Sequence, residues 1–215
     1  MKILSLALVV VGGLFSSGSA CAALLNLSNT DTTVGWSLVQ VAPSVNLTPM
    51  IMTQTPFEYD TLFGGAVGSR GGWLSDRLDG RTFAPSPFDF RFRQSFLAGA
   101  NQFVSINFKV LHDNNLVVKF NDETIFTSPE SIGYKNPPDN ITFVRNAAVG
   151  NNNLDFIVRN NVNPDPGPYN PFGISVLFDA QKNTIETVPE PASIGLWACI
   201  AGVGLLARRR MRRTV

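Results

Sequence analysis

Val104-Ser105-Ile106-Asn107-Phe108-Lys109-Val110 places an apolar side chain at every second position. Successive side chains of an extended chain point to opposite faces, so this period of two predicts a strand with one buried and one wet face. The same alternation recurs on both sides of it. Upstream it runs through Val34, Trp36 and Leu38, then Phe88, Phe90 and Phe92. Downstream it runs through Leu116, Val118 and Phe120, then Leu154, Phe156 and Val158, then Phe172, Ile174, Val176 and Phe178. No helix-period pattern of useful length interrupts the region from Leu24 to Thr187.

Between these runs lie residues that favour turns for distinct backbone reasons. They are His112-Asp113-Asn114-Asn115, Asn121-Asp122, Gly150-Asn151-Asn152-Asn153 and the proline-rich stretch from Asn160 to Pro171. Alternating strands with such punctuation predict an all-β antiparallel sandwich or jelly roll of about eight to ten strands. The chain carries 16 Phe against 3 Tyr and 3 Trp. One sheet has no second layer to cover that many rings, so the phenylalanines are assigned to an inter-sheet core, with Trp36 among them. Leu24 to Met52 supplies the first strands, and Thr53 to Gly72, rich in glycine, reads as a loop or inserted segment.

The ends read differently. Lys2, the apolar run Ile3 to Phe15 and the small residues up to Ala22 form a secretory signal, with cleavage expected near Ala22/Ala23. A retained anchor and lipoprotein processing at Cys21 are the alternatives. At the other end Val188-Pro189-Glu190-Pro191 is followed by an apolar segment, Ala192 to Ala207, and then by Arg208, Arg209, Arg210, Arg212 and Arg213. As a helix rising about 1.5 Å per residue the segment covers roughly 24 Å, a short transmembrane span. The arginines should keep the extreme C-terminus cytoplasmic and the sandwich outside. The expected organisation is therefore a signal peptide over 1–22, a β-sandwich ectodomain over 23–187 and a C-terminal signal over 188–215.

Charge and cysteine content exclude several function classes. The net charge is +1, with 17 Lys and Arg against 16 Asp and Glu. Setting aside Lys2, the five tail arginines and Glu190 leaves 11 against 15, a net of −4 for the remainder. A mildly acidic domain with no basic run argues against nucleic acid as a partner. Cys21 and Cys199 both fall in the terminal segments, which leaves the domain without a disulfide, a thiolate metal site or a cysteine nucleophile.

The candidate chemistry is sparse. His112 is the only histidine and is read as an exposed turn residue, with no Gly-x-Ser-x-Gly motif to make it part of a relay. Asp113 and Asn114 offer oxygen ligands of the kind Ca²⁺ takes, far short of a full set, and turn formation alone explains the pair. Glu58, Asp60, Asp76 and Asp79 could pair as glycosidase carboxylates, with nothing to fix their separation. Trp73, Tyr134 and Tyr169 lie in Gly-, Pro- and Asn-rich stretches and are the candidate sugar-stacking platforms, packing under a long loop being the competing reading. The sequons at Asn46 and Asn140 would suggest glycosylation in a eukaryote.

Two resemblances follow from these residues. Phe88-Asp89-Phe90, the Asp113-Asn114 turn, Asn121-Asp122, Gly150 to Asn160 and Pro171-Phe172-Gly173-Ile174 together resemble the galactose-binding-like jelly roll of exported bacterial proteins, over roughly Gly72 to Ala180. This chain departs from that pattern at Asp122, where a Gly is usual, and in one extra Asn after Gly150. The tail resembles the PEP-CTERM sorting signal of Gram-negative bacteria, with Val188, Pro189, Glu190 and Pro191 as the motif. That resemblance implies recognition and cleavage by an exosortase, after passage through the Sec machinery and signal peptidase. It also implies a transient inner-membrane anchor, and then the cell surface or extracellular matrix, in association with biofilm and exopolysaccharide. The expected function is a non-enzymatic carbohydrate-binding protein; the alternatives are a structural matrix or adhesion protein acting through protein contacts, and a hydrolase.

Overall fold

The computed structural model describes residues 22–40, 46–47, 49–51, 62, 72–76, 81–82, 88–129, 132–134, 137–161 and 170–187. They belong to one compact unit, Ala22–Val188. The signal peptide, the sorting motif, the apolar segment 192–207 and the arginine tail lie outside the described residues, as do Glu58, Asp60, Asp79 and Tyr169. Among the described residues no helix is long and apolar enough to cross a membrane.

The ordered elements are all strands: β1 (Ala23–Leu24), β2 (Trp36–Gln40), β3 (Asn46–Leu47), β4 (Met50–Ile51), β5 (Leu74–Ser75), β6 (Arg81–Thr82), β7 (Phe88–Ala98), β8 (Gln102–Asp113), β9 (Asn115–Phe120), β10 (Glu123–Thr127), β11 (Ile132–Gly133), β12 (Asp139–Asn146), β13 (Gly150–Asn160), β14 (Asn170–Pro171), β15 (Gly173–Phe178) and β16 (Thr184–Thr187). They form two antiparallel sheets and a short β6–β14 pair. The first sheet is built on β8. β15 and β16 run along one flank of it, and β12 and β11 along the other. Outside them β1 pairs β16, β5 pairs β15 and β4 pairs β5. The second sheet has the order β10-β9-β13-β7-β2-β3.

Apart from Val34, which lies exposed in the turn before β2, the alternating residues whose side chains are described face each other between the sheets. Leu38, Phe92, Val104, Ile106, Val110, Leu116, Val118, Leu154, Phe156, Val158, Ile174 and Val176 are wholly buried. The rings interlock. Phe108 meets Phe156 edge-on at 5.2 Å, Trp36 sits 5.5 Å from Phe156, and Phe90 stacks on Phe172 at 3.9 Å. Trp36 is core, and its indole Nε1 donates to Ser28 O at 3.0 Å. That bond satisfies the one polar atom such a ring carries inside.

Two of the turns expected from sequence are something else. His112 to Asn115 is not a loop. It is where the chain leaves β8 in one sheet and enters β9 in the other, so its polar residues sit at a corner of the sandwich rather than on a tip. Gly150 to Asn153 is the start of an eleven-residue strand, and the turn precedes it at 147–149. Asn152, wholly buried, fixes that turn from below. Its Oδ1 accepts from Ala148 N and from Asn121 Nδ2, and its Nδ2 donates to Ala148 O. The asparagines after Gly150 are thus strand residues that staple two neighbouring turns. Asn121-Asp122 is the hairpin turn expected, joining β9 to β10 with φ of 47° and 67°. Both signs are positive, as a two-residue turn matching strand twist requires, and Asn and Asp tolerate that region better than most.

Candidate functional site

Trp73, expected as an open platform, is wholly buried on the outer face of the β8 sheet. It packs with Leu111, and Leu62 and Tyr134 flank the pair. A ring with no exposed face has nothing to stack on a sugar, so Trp73 is a packing residue and not a platform. Tyr134 is half-buried beside it.

His112 is corrected from an exposed turn residue to a buried strand residue, 1% exposed. Its Nε2 lies 3.1 Å from Asp139 Oδ2, and its Nδ1 contacts the carbonyl of Asn114. A carbonyl only accepts, so Nδ1 is the donor there. Gly133 lies directly opposite. A Cβ on Gly133 would fall 2.1 Å from His112 Nε2, so the ring occupies the space a side chain would take. The histidine therefore works as a plug at the corner of the sandwich.

Asp113 and Asn114 spend their groups on the same corner. Asp113 is buried, Asn114 Nδ2 donates to Asp113 Oδ1, and Asn114 Oδ1 accepts from Asn161 N at 2.8 Å. Among the described residues no group of three or more His, Cys, Asp and Glu stands close enough to hold a metal ion. Asp76, the described member of the four carboxylates, accepts from the adjacent Ser75 hydroxyl at 3.3 Å.

The polar chemistry gathers instead on the outer face of the second sheet. Here Asp89, Arg91 and Arg93 of β7 alternate with the buried Phe90 and Phe92. Register carries them across the sheet. Arg159 of β13 stands between Asp89 and Asn115, Ile157 between Arg91 and Val117, and Asp155 between Arg93 and Lys119. Arg93 clamps Asp155 with two parallel bonds, Nε to Oδ1 at 2.7 Å and Nη2 to Oδ2 at 2.9 Å. Asp155 is wholly buried although it faces outward, because the long arginine stems cover it. The hydrogen bond that Arg93 donates to Asp155, then the charge of that carboxylate, holds the Arg93 guanidinium above the ordinary arginine range against the opposing effect of burial.

Beside this clamp lies an open cleft of about 400 Å³, lined by Asp89, Asn115, Val117, Ile157, Arg159 and Asn161. Val117 and Ile157 make an aliphatic floor. Asn161 Nδ2 donates to Asn115 Oδ1 at 2.7 Å and orients that amide. Arg159 Nε and Asp89 Oδ1 are 4.0 Å apart, too long for a hydrogen bond, which leaves guanidinium and carboxylate directions open to a third partner. Among the described residues no serine, cysteine or histidine lines the cleft. Its groups can orient hydroxyls against an apolar floor, but they include no nucleophile with an adjacent base. A second open cleft, about 530 Å³, lies on the outer face of the first sheet around Asn107, Lys109, Asn140 and Leu177. Its edge carries the exposed Lys182–Asp179 pair at 2.8 Å.

No protein-family model matches the chain, and comparison with curated proteins finds no match. Solved structures give partial, distant likenesses. One is the enzymatically active domain of tailspike protein 4 of bacteriophage CBA120, with TM-score 0.41 and 10% identity over 74% of this chain and 20% of that one. Another is an FMN-binding β-glucuronidase from Facaelibacterium prausnitzii, at 0.37 and 14% over 78% and 23%. A family 35 carbohydrate binding module from Clostridium thermocellum follows at 0.31 and 10%, over 71% of this chain and 98% of the module. This chain spans about a fifth of the tailspike domain. At these scores the likenesses carry no argument about ligand or reaction.

Proposed function

We propose that this is an exported, non-enzymatic protein of the cell surface or extracellular matrix of a Gram-negative bacterium, and that its sandwich binds carbohydrate, an exopolysaccharide above all. The cleft of Asp89, Asn115, Arg159 and Asn161 over Ile157 and Val117 is the observation that carries the binding half. A sugar ring presents C–H faces to an aliphatic floor and hydroxyls to planar amide, carboxylate and guanidinium groups. An open cleft that meets both needs favours binding. The order of motif, apolar segment and arginines at the C-terminus supports sorting by an exosortase.

Affinity electrophoresis of the protein against a panel of soluble polysaccharides tests the binding half. Retardation by at least one glycan is expected. Arg159→Ala and Asn115→Ala should each weaken it about tenfold, equivalent to about 1.4 kcal/mol, with no loss of folding. Unchanged mobility across the panel, or retardation insensitive to both substitutions, overturns this site.

A second reading, a matrix or adhesion protein acting through protein contacts, is favoured by the open outer edge of β12.

A further inference from the structure

β12 pairs with β8 over eight consecutive residues, Asp139↔Val110 to Asn146↔Phe103, with no break in register. Where β8 also pairs β15 and β16, those strands take its other flank, so the outer edge of β12 has no strand beside it among the described residues. Natural sheets blunt such an edge with bulges, prolines or lysines. β10, the corresponding edge of the second sheet, follows that rule with a register break between Thr124 and Phe126. β12 has no bulge, no proline and no lysine, and its inward-pointing charges, Asp139 and Arg145, stand near its two ends.

Its sequence is self-complementary. In an antiparallel two-fold pairing centred on Thr142, Asp139 meets Arg145 of the second copy, Asn140 meets Val144 and Ile141 meets Phe143. Residues on the same face meet, as the pleat requires. The inner-face positions become acid to base and apolar to apolar. Asp139 has room for the arginine, since His112 takes its Oδ2 and, among the described residues, no hydrogen bond occupies Oδ1. Arg145 bonds Glu123 Oε1 through Nε and Nη2 and the Val144 carbonyl through Nη1 at 3.0 Å, which leaves two of its five N–H donors for a partner. On the outer face, Val144 is 53% exposed and would gain a neighbour.

We propose that β12 is a homotypic docking edge, through which two copies join their β8 sheets into one continuous sheet about a two-fold axis at Thr142. This deepens the protein-contact reading and does not depend on sugar binding, so the glycan assay and the test below fail separately.

The test is single-cysteine crosslinking of the full-length chain in detergent, with Cys21→Ser and Cys199→Ser as background. Thr142→Cys places its thiol against its own symmetry mate, with Cβ atoms about 5 Å apart, close to disulfide range. At 140 and 144 each thiol would lie about 14 Å from its own mate, four residues along at about 3.4 Å each. Mild oxidation should convert Thr142→Cys to dimer. Asn140→Cys and Val144→Cys alone should stay monomeric, and an equal mixture of the two should give the heterodimer. Association through any other segment does not reproduce this pattern. Thr142→Lys should remove the crosslink-independent dimer in sedimentation and leave the melting temperature unchanged. Equal crosslinking at all three positions, or a monomer with its edge bare or taken by a strand of another protein, overturns the proposal.

Discussion

Removing either half of the Arg93–Asp155 clamp should not cost the same. Arg93→Ala removes one of the stems that cover Asp155 and leaves a partly shielded carboxylate with Arg91 Nη1 at 3.7 Å. Stripping the partner from a fully buried ion costs about 3–5 kcal/mol, so the loss here falls at the low end, about 3 kcal/mol. Asp155→Ala leaves a guanidinium whose side chain is 26% exposed and which water can reach, so the loss falls between surface and buried pairs, about 1–2 kcal/mol. The paired replacement Arg93→Met with Asp155→Leu removes both charges together, and should cost less than Arg93→Ala alone. Urea denaturation is the assay, with the midpoint falling at unchanged slope. For Arg93→Ala the loss corresponds to a drop in melting temperature on the order of 10 °C. Because the proton on Arg93 is held above the ordinary arginine range, the stability linked to it is present below that range and fades only above it, beyond any pH at which the folded protein is assayed. Equal losses from the two single substitutions, or a larger one from Asp155→Ala, would refute the reasoning that burial of the carboxylate decides the asymmetry.

Other outcomes are as specific. Trp73→Ala should cost about 3–5 kcal/mol of stability and leave glycan retardation of the folded fraction unchanged, which calorimetry and affinity gels together check. Gly133→Ala should destabilise by about 1–3 kcal/mol through the His112 ring, and His112→Ala in the same chain should recover part of that loss in a double-mutant cycle. Pro189→Ala with Glu190→Ala should leave unprocessed precursor in the inner membrane, read by fractionation and immunoblot; normal release would end the sorting reading. The Asp179 carboxyl is held below the ordinary range first by its hydrogen bond with Lys182. Its contribution is therefore present at neutral pH and lost as pH falls through the acid range, so Asp179→Asn should slightly flatten the acid side of a stability profile.

Which residues were legible in the sequence follows from the range of the forces involved. The core was legible because alternation is local: Phe90, Phe92, Val104, Phe108, Val118, Phe156 and Val176 are inside as their period requires. Asn121-Asp122 was legible because a two-residue hairpin turn demands residues that tolerate positive φ. Trp73 and His112 were misplaced because composition around them reads as loop, whereas a neighbouring segment and a sheet-changing corner bury them. β12 escaped notice although Ile141 and Phe143 alternate, since prolines and asparagines crowd its approach. The cleft was out of reach for another reason. Asp89, Asn115 and Arg159 are wet-face residues of three separate runs, and only the pairing register sets them in one row.

The adjacency of β1 and β16 sets an order of events. Ala23 pairs Ile185 and Leu24 pairs Thr184, while β16 also lines β8. The first and last strands of the domain thus close the same sheet side by side. A chain delivered N-terminus first can build the β7-β13-β9 sheet, yet its other sheet stays unfinished until residue 187 has arrived. Completion of that sheet therefore waits on residue 187, one residue before the Val188-Pro189-Glu190-Pro191 stretch begins.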